Sequence, residues 1–113
     1  MHEMSLCEGI LQVLEEQATV QQYHRVKTVW LEVGALSTID IPAMEFSFDV
    51  VCRNTLADGC QLTIVPIPGN AWCMQCASHV EIQQRYDACP QCGSYQLQIT
   101  QGEEMRIKEL EVE

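Results

Sequence analysis

Four cysteines arranged as two Cys-x-x-Cys pairs constrain this chain more than any other feature. The pairs are Cys73/Cys76 and Cys89/Cys92, with twelve residues between them. Each pair can form a tight turn whose two thiolates point to one ion, and the chain between them returns the second pair to complete a tetrahedral shell. Four sulfur ligands leave no open position for water or substrate, so the sequence predicts a structural zinc site and not a catalytic one.

Two other interpretations of these pairs stay open. A redox-active Cys-x-x-Cys normally begins a helix within a βαβ unit, and residues 71–100 lack that context. The Cys-Pro-Gln-Cys-Gly turn of the second pair also resembles a rubredoxin iron turn, and thiolates bind iron as well as zinc. The short spacing and the few aromatic residues favour zinc.

Length and composition indicate one ordinary domain, or a small domain that carries a metal-stabilised module. The chain has 113 residues and 47% hydrophobic content, which is enough for a modest core. It shows neither a transmembrane run nor the basic-then-apolar order of a signal peptide, so we expect a cytoplasmic protein with reduced thiols. Cys7, Cys52 and Cys60 make the cysteine total odd, and we expect each to be a small buried apolar residue.

The chain is strongly acidic, with 16 Asp and Glu against 6 Lys and Arg and a formal net charge of -10. Such a chain is repelled by nucleic acids and by anionic membranes, so we expect neither as a partner. Between residues 71 and 100 the sole Lys or Arg is Arg85, which leaves no cationic surface for phosphates. We interpret the acidic surplus as a source of solubility.

Apolar spacing predicts a first helix from Ser5 to Gln17, which begins with a capping box between Ser5 and Glu8. Its predicted buried face contains Leu6, Ile10, Val13 and Leu14. The stretch Arg25 to Gly34 predicts a strand that is buried mainly on the face of Lys27, Val29, Leu31 and Val33.

A second helix is predicted from Pro42 to Cys52, with Phe46 and Val50 on its inner face and Met44 or Val51 beside them. A strand from Gln61 to Val65 should end at the breaker Pro66-Ile67-Pro68-Gly69. The four-cysteine ribbon then covers Ala71 to Thr100, with Trp72, Val80, Ile82, Leu97 and Ile99 available to pack around the zinc. A terminal strand carries Met105, Ile107, Leu110 and Val112, although its period-two pattern slips by one residue after Ile107.

These elements predict an α+β fold, in which two helices pack on a small β-sheet and a four-cysteine zinc ribbon is inserted before the final strand. Thirty residues cannot bury a core large enough to fold alone, so the ribbon should depend on its metal. We therefore expect two domains, one formed by residues 1–70 plus 101–113 and a zinc-ribbon domain at residues 71–100.

The first residues, Met1-His2-Glu3-Met4, contain a second set of metal-binding atoms. The α-amine and the His2 imidazole are close in sequence, and the backbone amides between them can ionise when they bind Ni²⁺ or Cu²⁺, which favour planar nitrogen ligands. From the residues alone, an exposed histidine in a frayed terminus is the alternative. His24 and His79 are weaker candidate ligands.

Beyond the cysteines, three segments of the chain resemble one protein family. The segments are Met1–Cys7, Trp30–Ser37 and Phe46–Asp49, and together with the four cysteines they span nearly the whole chain in one order. They are similar to the hydrogenase-maturation nickel metallochaperones of the HypA/HybF family.

That resemblance implies a cytoplasmic accessory protein, not an enzyme, that binds Ni²⁺ and helps to insert it into the large-subunit precursor of a nickel-iron hydrogenase. It implies a nickel-inserting maturation GTPase as a second partner, and it leaves monomer and dimer open. By resemblance, His2 binds nickel through its imidazole, assisted by the Met1 amine and the backbone amides of His2 and Glu3. The Glu3 side chain tunes the site or supplies an oxygen. The domain of residues 1–70 plus 101–113 is then the nickel-binding domain, and the Zn²⁺ site is structural.

Two other functions compete with the metallochaperone. One is a zinc-ribbon interaction module with no transported metal, which would hold zinc alone. The other is a thiol-disulfide enzyme, which would need a reversible cysteine pair and would show oxidoreductase turnover after zinc removal.

Overall fold

The elements alternate between helices and strands in the N-terminal half and are all strands after residue 60. The computed structural model describes residues 2–113, so Met1 lies outside the described residues. Within this range the elements are α1 (Glu3–Gln21), β1 (Val26–Gly34), α2 (Ile41–Cys52), β2 (Gln61–Ile67), β3 (Gly69–Cys73), β4 (Ser78–Ile82), β5 (Leu97–Gln101) and β6 (Met105–Val112). The α+β class predicted from the sequence is confirmed. No helix in residues 2–113 has the length and apolar content needed to cross a membrane.

The strands form two three-stranded sheets. The first has the order β2-β1-β6, so the final strand returns beside the first one. The second has the order β4-β3-β5, and both of its pairs are antiparallel. Ala71 of β3 faces Val80 on one side and Ile99 on the other, which brings apolar side chains of all three strands to one level of the sheet.

Contacts divide the chain into two compact units. The helical unit contains Met1–Leu31, Ile39–Ile64 and Ile107–Glu113, and the ribbon unit contains Glu32–Thr38 and Val65–Arg106. The ribbon unit therefore includes more of the chain than the four-cysteine stretch at residues 71–100.

Helix α1 is longer than predicted, and its buried face is rotated. The helix begins at Glu3, so Ser5 and Glu8 lie inside it and the predicted capping box is wrong. The buried residues are Glu3, Cys7, Ile10 and Leu14, which follow the three-to-four-residue spacing of one helical face. Val13 is 43% exposed because it projects to the side of this face.

In strand β1 the predicted buried face is confirmed at Val29, Leu31 and Val33 but not at Lys27, and helix α2 differs from the prediction in its buried face. Val26 and Thr28 of β1 are also buried, while Lys27 is exposed. The buried Thr28 hydroxyl is hydrogen-bonded, because it donates to Glu111 Oε1 at 2.8 Å. In α2 the buried residues are Met44, Ser47, Phe48 and Cys52. Phe46 is 66% exposed, because it lies two residues from both Met44 and Phe48 and therefore on the opposite side of the helix.

The predicted breaker at residues 66–69 does not end the sheet structure. Strand β2 continues through Pro66 to Ile67, and β3 begins at Gly69. Proline is tolerated there because β2 is an outer strand, where a missing N–H costs no interior hydrogen bond. The burial of β6 slips by one residue between Ile107 and Leu110, in the same place as the slip in the sequence pattern.

Three glycines pack backbone against backbone within the ribbon unit. Gly34, Gly69 and Gly102 come from three separate segments, and a Cβ on any of them would lie within 3 Å of a backbone atom. Hydrogen bonds fix the same segments: the Gly34 N–H donates to Glu104 O at 2.9 Å and the Leu36 N–H donates to Gly102 O at 2.8 Å. The close approach therefore requires glycine at these positions.

Candidate metal centre

The four cysteine sulfurs of the ribbon unit lie together. Their Sγ atoms are all within 4.8 Å of one another, and none of the four is in a disulfide. The Cys73–Cys92 and Cys76–Cys89 Sγ separations are 3.6 and 3.8 Å. A regular tetrahedron with metal–sulfur bonds of about 2.3 Å has edges of about 3.8 Å, so this donor set fits one tetrahedrally bound ion.

The two Cys-x-x-Cys turns are alike in the residue that follows the second cysteine. In each, the residue after the second cysteine adopts a left-handed conformation, with φ of 54° at Ala77 and 79° at Gly93. The Cys76 N–H donates to Cys73 Sγ at 3.5 Å, and the Gly93 N–H donates to Cys89 O at 2.8 Å. These bonds fold each turn back on its first cysteine, which explains why both pairs present their sulfurs on the same side.

The surroundings of Cys76, Cys89 and Cys92 shift the pKa values of these thiols in different directions. Burial raises the pKa of Cys89, but N–H donors from the backbone of Cys92 and Gln91 outweigh it and lower that pKa to about 7. For Cys92 the Ser94 backbone lowers the pKa, yet desolvation and the neighbouring sulfurs prevail and raise it to about 12. Desolvation raises the pKa of Cys76. Four thiolates this close repel one another, so a cation is needed to hold all of them deprotonated.

A small apolar core supports the sulfurs. Cys73 and Cys89 are buried with Leu36, Ala71, Val80 and Ile82, and Leu97 and Ile99 pack against this cluster. Trp72 is only half-buried and contacts His79 edge-on at 4.9 Å between ring centroids, so the prediction that it packs around the metal is wrong. The core combines residues from three strands with Cys89, from the connection between β4 and β5, and Leu36, from the segment that follows β1.

Arg85, in the connection between β4 and β5, contacts the segment after β1 that contains Leu36. Its Nε donates to Leu36 O at 3.0 Å, and its guanidinium forms an ion pair with Glu103 at 2.8 Å. Sequence reasoning identified Arg85 only as the single basic residue of the ribbon, and it did not place Leu36 in the core. No local pattern could have revealed either contact, because both join residues more than 15 positions apart.

The predicted nickel ligands lie at the start of α1. His2 is exposed and is the N-cap residue, with φ of -96° and ψ of 5°, and its side chain makes no capping hydrogen bond. Its carbonyl accepts the first helical bond, from Leu6 N at 2.9 Å. The Met1 amine lies outside the described residues. Within residues 2–113, the four-cysteine group is the one place where three or more His, Cys, Asp or Glu ligand atoms converge.

Glu3 is buried, and its carboxylate faces the second helix. Its Oε2 accepts from the Asp40 N–H at 3.3 Å, and Asp40 Oδ1 accepts in turn from the Ala43 N–H at 3.1 Å. Asp40 thus caps α2 and contacts the start of α1. Sequence reasoning missed this residue, although an aspartate two positions before the Pro42 of a predicted helix is a recognisable N-cap signal.

The remaining cysteines lie in the helical unit. Cys7 and Cys52 are buried, as expected, while Cys60 is only partly buried, which corrects the expectation for that residue. The Cys7 thiol donates to Met44 O at 3.6 Å.

Comparison with known proteins extends over the whole chain. The family model described as "Hydrogenase/urease nickel incorporation, metallochaperone, hypA" matches residues 1–112. The chain is 59% identical to the hydrogenase maturation factor HypA of Azotobacter chroococcum and 61% identical to that of Alkalilimnicola ehrlichii, with all of each chain covered. The solution structure of the nickel metallochaperone HypA from Helicobacter pylori has a TM-score of 0.72 at 29% identity, covering 99% of this chain and 97% of that one.

Two helices, two small sheets and one four-thiolate group define a small α+β protein with a metal-binding ribbon. The full-length matches then identify the family: the chain belongs to the HypA family of hydrogenase/urease nickel-incorporation metallochaperones.

Proposed function

We propose that this protein binds Ni²⁺ at its N-terminus and helps to insert it into the large-subunit precursor of a nickel-iron hydrogenase. The protein catalyses no reaction itself. The supporting observation is that this chain, which matches the family model over residues 1–112, has an exposed histidine, His2, directly before its first helix. A nickel-inserting maturation GTPase is the second proposed partner, and the cytoplasm is the proposed location.

The backbone at this position suits nickel coordination. The amides of His2 and Glu3 precede the Leu6 N–H, which is the first amide used in helical bonding. Metal binding at these two amides therefore breaks no backbone–backbone bond of α1, although it replaces the bond that the Glu3 N–H donates to its own carboxylate. The partial positive charge of a helix N-terminus also favours the deprotonated amide. We propose the His2 imidazole as the essential ligand, assisted by the Met1 amine and these two amides, a nitrogen set that Ni²⁺ accepts in planar geometry.

The Glu3 side chain has a positioning role in this proposal. Its buried carboxylate is engaged with the Asp40 amide, so it fixes the first turn of α1 against the start of α2. A fixed first turn holds the amide nitrogens of His2 and Glu3 in one geometry, which lowers the cost of ordering them around an ion.

The four-cysteine group is proposed to hold Zn²⁺ permanently. Cys73, Cys76, Cys89 and Cys92 would fill all four positions, which leaves none for exchange with a partner. Residues 71–100 are then the structural zinc-ribbon domain, and residues 1–70 plus 101–113 are the nickel-binding domain. Nickel at an exposed terminus can be transferred ligand by ligand, whereas an ion enclosed by four thiolates cannot.

Calorimetric titration of untagged, zinc-containing protein with Ni²⁺ tests the proposal. A His2→Gln variant should bind nickel at least ~100-fold more weakly, because loss of an outer-shell partner alone typically costs about 10 to 100-fold. It should keep one zinc per chain and its helical content, since His2 lies outside the ribbon unit.

His24→Gln provides the matched control. His24 is also an exposed histidine, but it lies beyond the other end of α1, so its replacement should leave nickel affinity unchanged. Equal nickel affinity in the His2→Gln variant and the wild type would disprove the assignment.

A further inference from the structure

One surface of the second sheet, β4-β3-β5, faces away from the sulfur core. The strand registers place Asn70 opposite Glu81, and Trp72 opposite both His79 and Gln98. Residues directly opposite each other in an antiparallel pair lie on the same side of the sheet. The residues that alternate with them along β3 and β4 are buried, whereas these five are exposed or half-buried. We call Asn70, Trp72, His79, Glu81 and Gln98 the outer face.

Trp72 lies on the middle strand of the outer face. It is half-buried, and its ring contacts the His79 ring edge-on, with the centroids 4.9 Å apart and the planes at 68°. This contact restrains the orientation of the indole. The face of an aromatic ring carries negative potential, and among aromatic side chains tryptophan attracts a cation most strongly. The outer face therefore presents a ring on which a cationic group can stack.

Glu81 supplies a negative charge beside this ring. It is the single Asp, Glu, Lys or Arg on strands β3, β4 and β5. Its register opposite Asn70 makes it the diagonal neighbour of Trp72, at a typical separation of about 7 to 8 Å. Its exposed carboxylate accepts from Gln83 Nε2 at 3.3 Å and forms no ion pair with Lys or Arg within residues 2–113. A cation stacked on the indole can therefore also pair with Glu81.

The outer face also has room for a long side chain. An open depression of about 350 Å³ lies beside the contact between Trp72 and His79. Such a depression can receive the apolar stem of a Lys or Arg side chain. Its lining residues are Asn70, His79, Val80, Thr100 and Gln101.

We propose that the outer face binds an arginine side chain of a partner protein. A guanidinium stacks flat on an indole and still donates hydrogen bonds in its own plane to a carboxylate, which makes arginine a better occupant than lysine. A second copy of this chain is a poorer partner, because all four of its arginines already bond to acceptors within the chain. The site goes beyond the proposed nickel function, since it involves no residue of the N-terminus.

A synthetic peptide serves as the probe. It has about eight residues, alternating Arg and Ser, with blocked ends, so that its arginines lie on one side when it is extended. Proton–nitrogen NMR spectra of the full zinc-containing protein follow the titration. The Trp72 indole N–H signal should shift, and the Trp30 indole signal should not, because Trp30 is in the helical unit. The same peptide with citrulline, an uncharged analogue of arginine, should bind roughly fivefold more weakly or worse.

Two sets of variants locate the site, with binding measured from the backbone amide signals of β3, β4 and β5. Trp72→Leu should weaken binding roughly fivefold and Trp72→Phe by less, whereas Tyr86→Leu should have no effect, because Tyr86 is 90% exposed but lies outside the three strands. Glu81→Gln should weaken binding roughly twofold to fivefold. Glu109→Gln makes the same change in charge at an exposed residue of the helical unit and should have a smaller effect. A His2→Gln protein should bind the peptide normally, so failure of the nickel proposal would not affect this result.

Three outcomes would overturn the arginine site. Equal losses in the Glu81→Gln and Glu109→Gln proteins, or equal shifts of both indole signals, would indicate non-specific attraction of a cationic peptide to an acidic protein. Equal affinity for the citrulline peptide would exclude recognition of a cation. Self-association of the wild type in sedimentation experiments, abolished by Trp72→Leu, would make a second copy the occupant.

Discussion

Replacing Gly34 by alanine should destabilise the ribbon unit by several kcal/mol without touching a metal ligand. A Cβ at this position would lie 2.0 Å from Gly102 O, 2.3 Å from its carbonyl carbon and 2.9 Å from its Cα. Carbon–oxygen contacts are normally about 3.3 Å or longer, so the two backbones would have to separate by about 1.3 Å. Gly102 cannot retreat freely, because it packs in turn against Gly69 and Pro68.

The expected loss in the free energy of unfolding follows from the hydrogen bonds that this separation would break. The bonds from Gly34 N–H to Glu104 O and from Leu36 N–H to Gly102 O, at 2.9 and 2.8 Å, span the gap. Each contributes about 1 kcal/mol net, and overpacking adds about 1 to 3 kcal/mol, so the expected loss is about 3 to 5 kcal/mol. For a chain of this size, such a loss lowers the melting temperature by roughly 12 to 20 °C.

Gly9→Ala is the matched control, because a Cβ there meets nothing within 4 Å and Gly9 lies inside α1. It should stabilise the protein by up to about 1 kcal/mol, the difference in helix propensity between the two residues. Urea unfolding of zinc-containing proteins measures both effects, with Trp30 reporting on the helical unit and Trp72 on the ribbon unit. If the Gly34→Ala protein unfolds within about 1 kcal/mol of wild type, the packing argument is wrong.

Three further predictions concern the cysteines and the terminus. Cys73→Ala should lose the bound zinc and disorder the ribbon unit, as measured by metal analysis and proton–nitrogen NMR spectra. Cys60→Ala, the control, should retain one zinc per chain. A Cys73→Ala protein that keeps one zinc per chain would contradict the four-thiolate site. Burial raises the pKa of Cys52 to about 12 and that of Cys7 to about 11, from an ordinary value of 9.0. These two thiols ionise near pH 9 in the unfolded chain but not in the folded one. The free energy of unfolding should therefore not change with pH through these thiols below pH 9, and should fall as the pH rises from 9 towards 12. The Cys52→Ala variant should show a shallower fall over the same range. Finally, a peptide tag that blocks the Met1 amine should weaken nickel binding, and the same tag at the C-terminus should not; equal affinities would remove the amine from the ligand set.

The sequence predicted the parts of the fold that depend on local patterns. The α+β class, the final strand at Met105–Val112 and the convergence of four sulfurs follow from residue spacing, and the structure shows all of them. The geometry of a Cys-x-x-Cys turn is determined by its own few residues, since a backbone amide of the turn donates to the first cysteine. Local information was sufficient there.

Burial was predicted less well, because it depends on which elements pack together. Val13 and Phe46 were predicted as core residues from their hydrophobicity and spacing, yet the packing of the two helices leaves both exposed. Pro66 looked like a breaker, but an outer strand tolerates it. These differences could be predicted only if one already knew which elements pack against each helix and strand.

Long-range contacts were beyond the sequence altogether. Leu36 packs in the ribbon core although it lies 35 residues before Ala71 in the sequence, and Arg85 donates a hydrogen bond to the Leu36 carbonyl. The contact between Glu3 and Asp40 is of the same kind. Each depends on chain topology, which one sequence does not determine.

Metal analysis of untagged protein during a nickel titration is the decisive experiment for the proposal that one ion is structural and another is delivered. We expect one zinc per chain that survives dialysis, together with one nickel that exchanges and gives the absorption of planar coordination. Retained zinc with no nickel uptake would contradict the metallochaperone role and leave an interaction module whose only metal is structural.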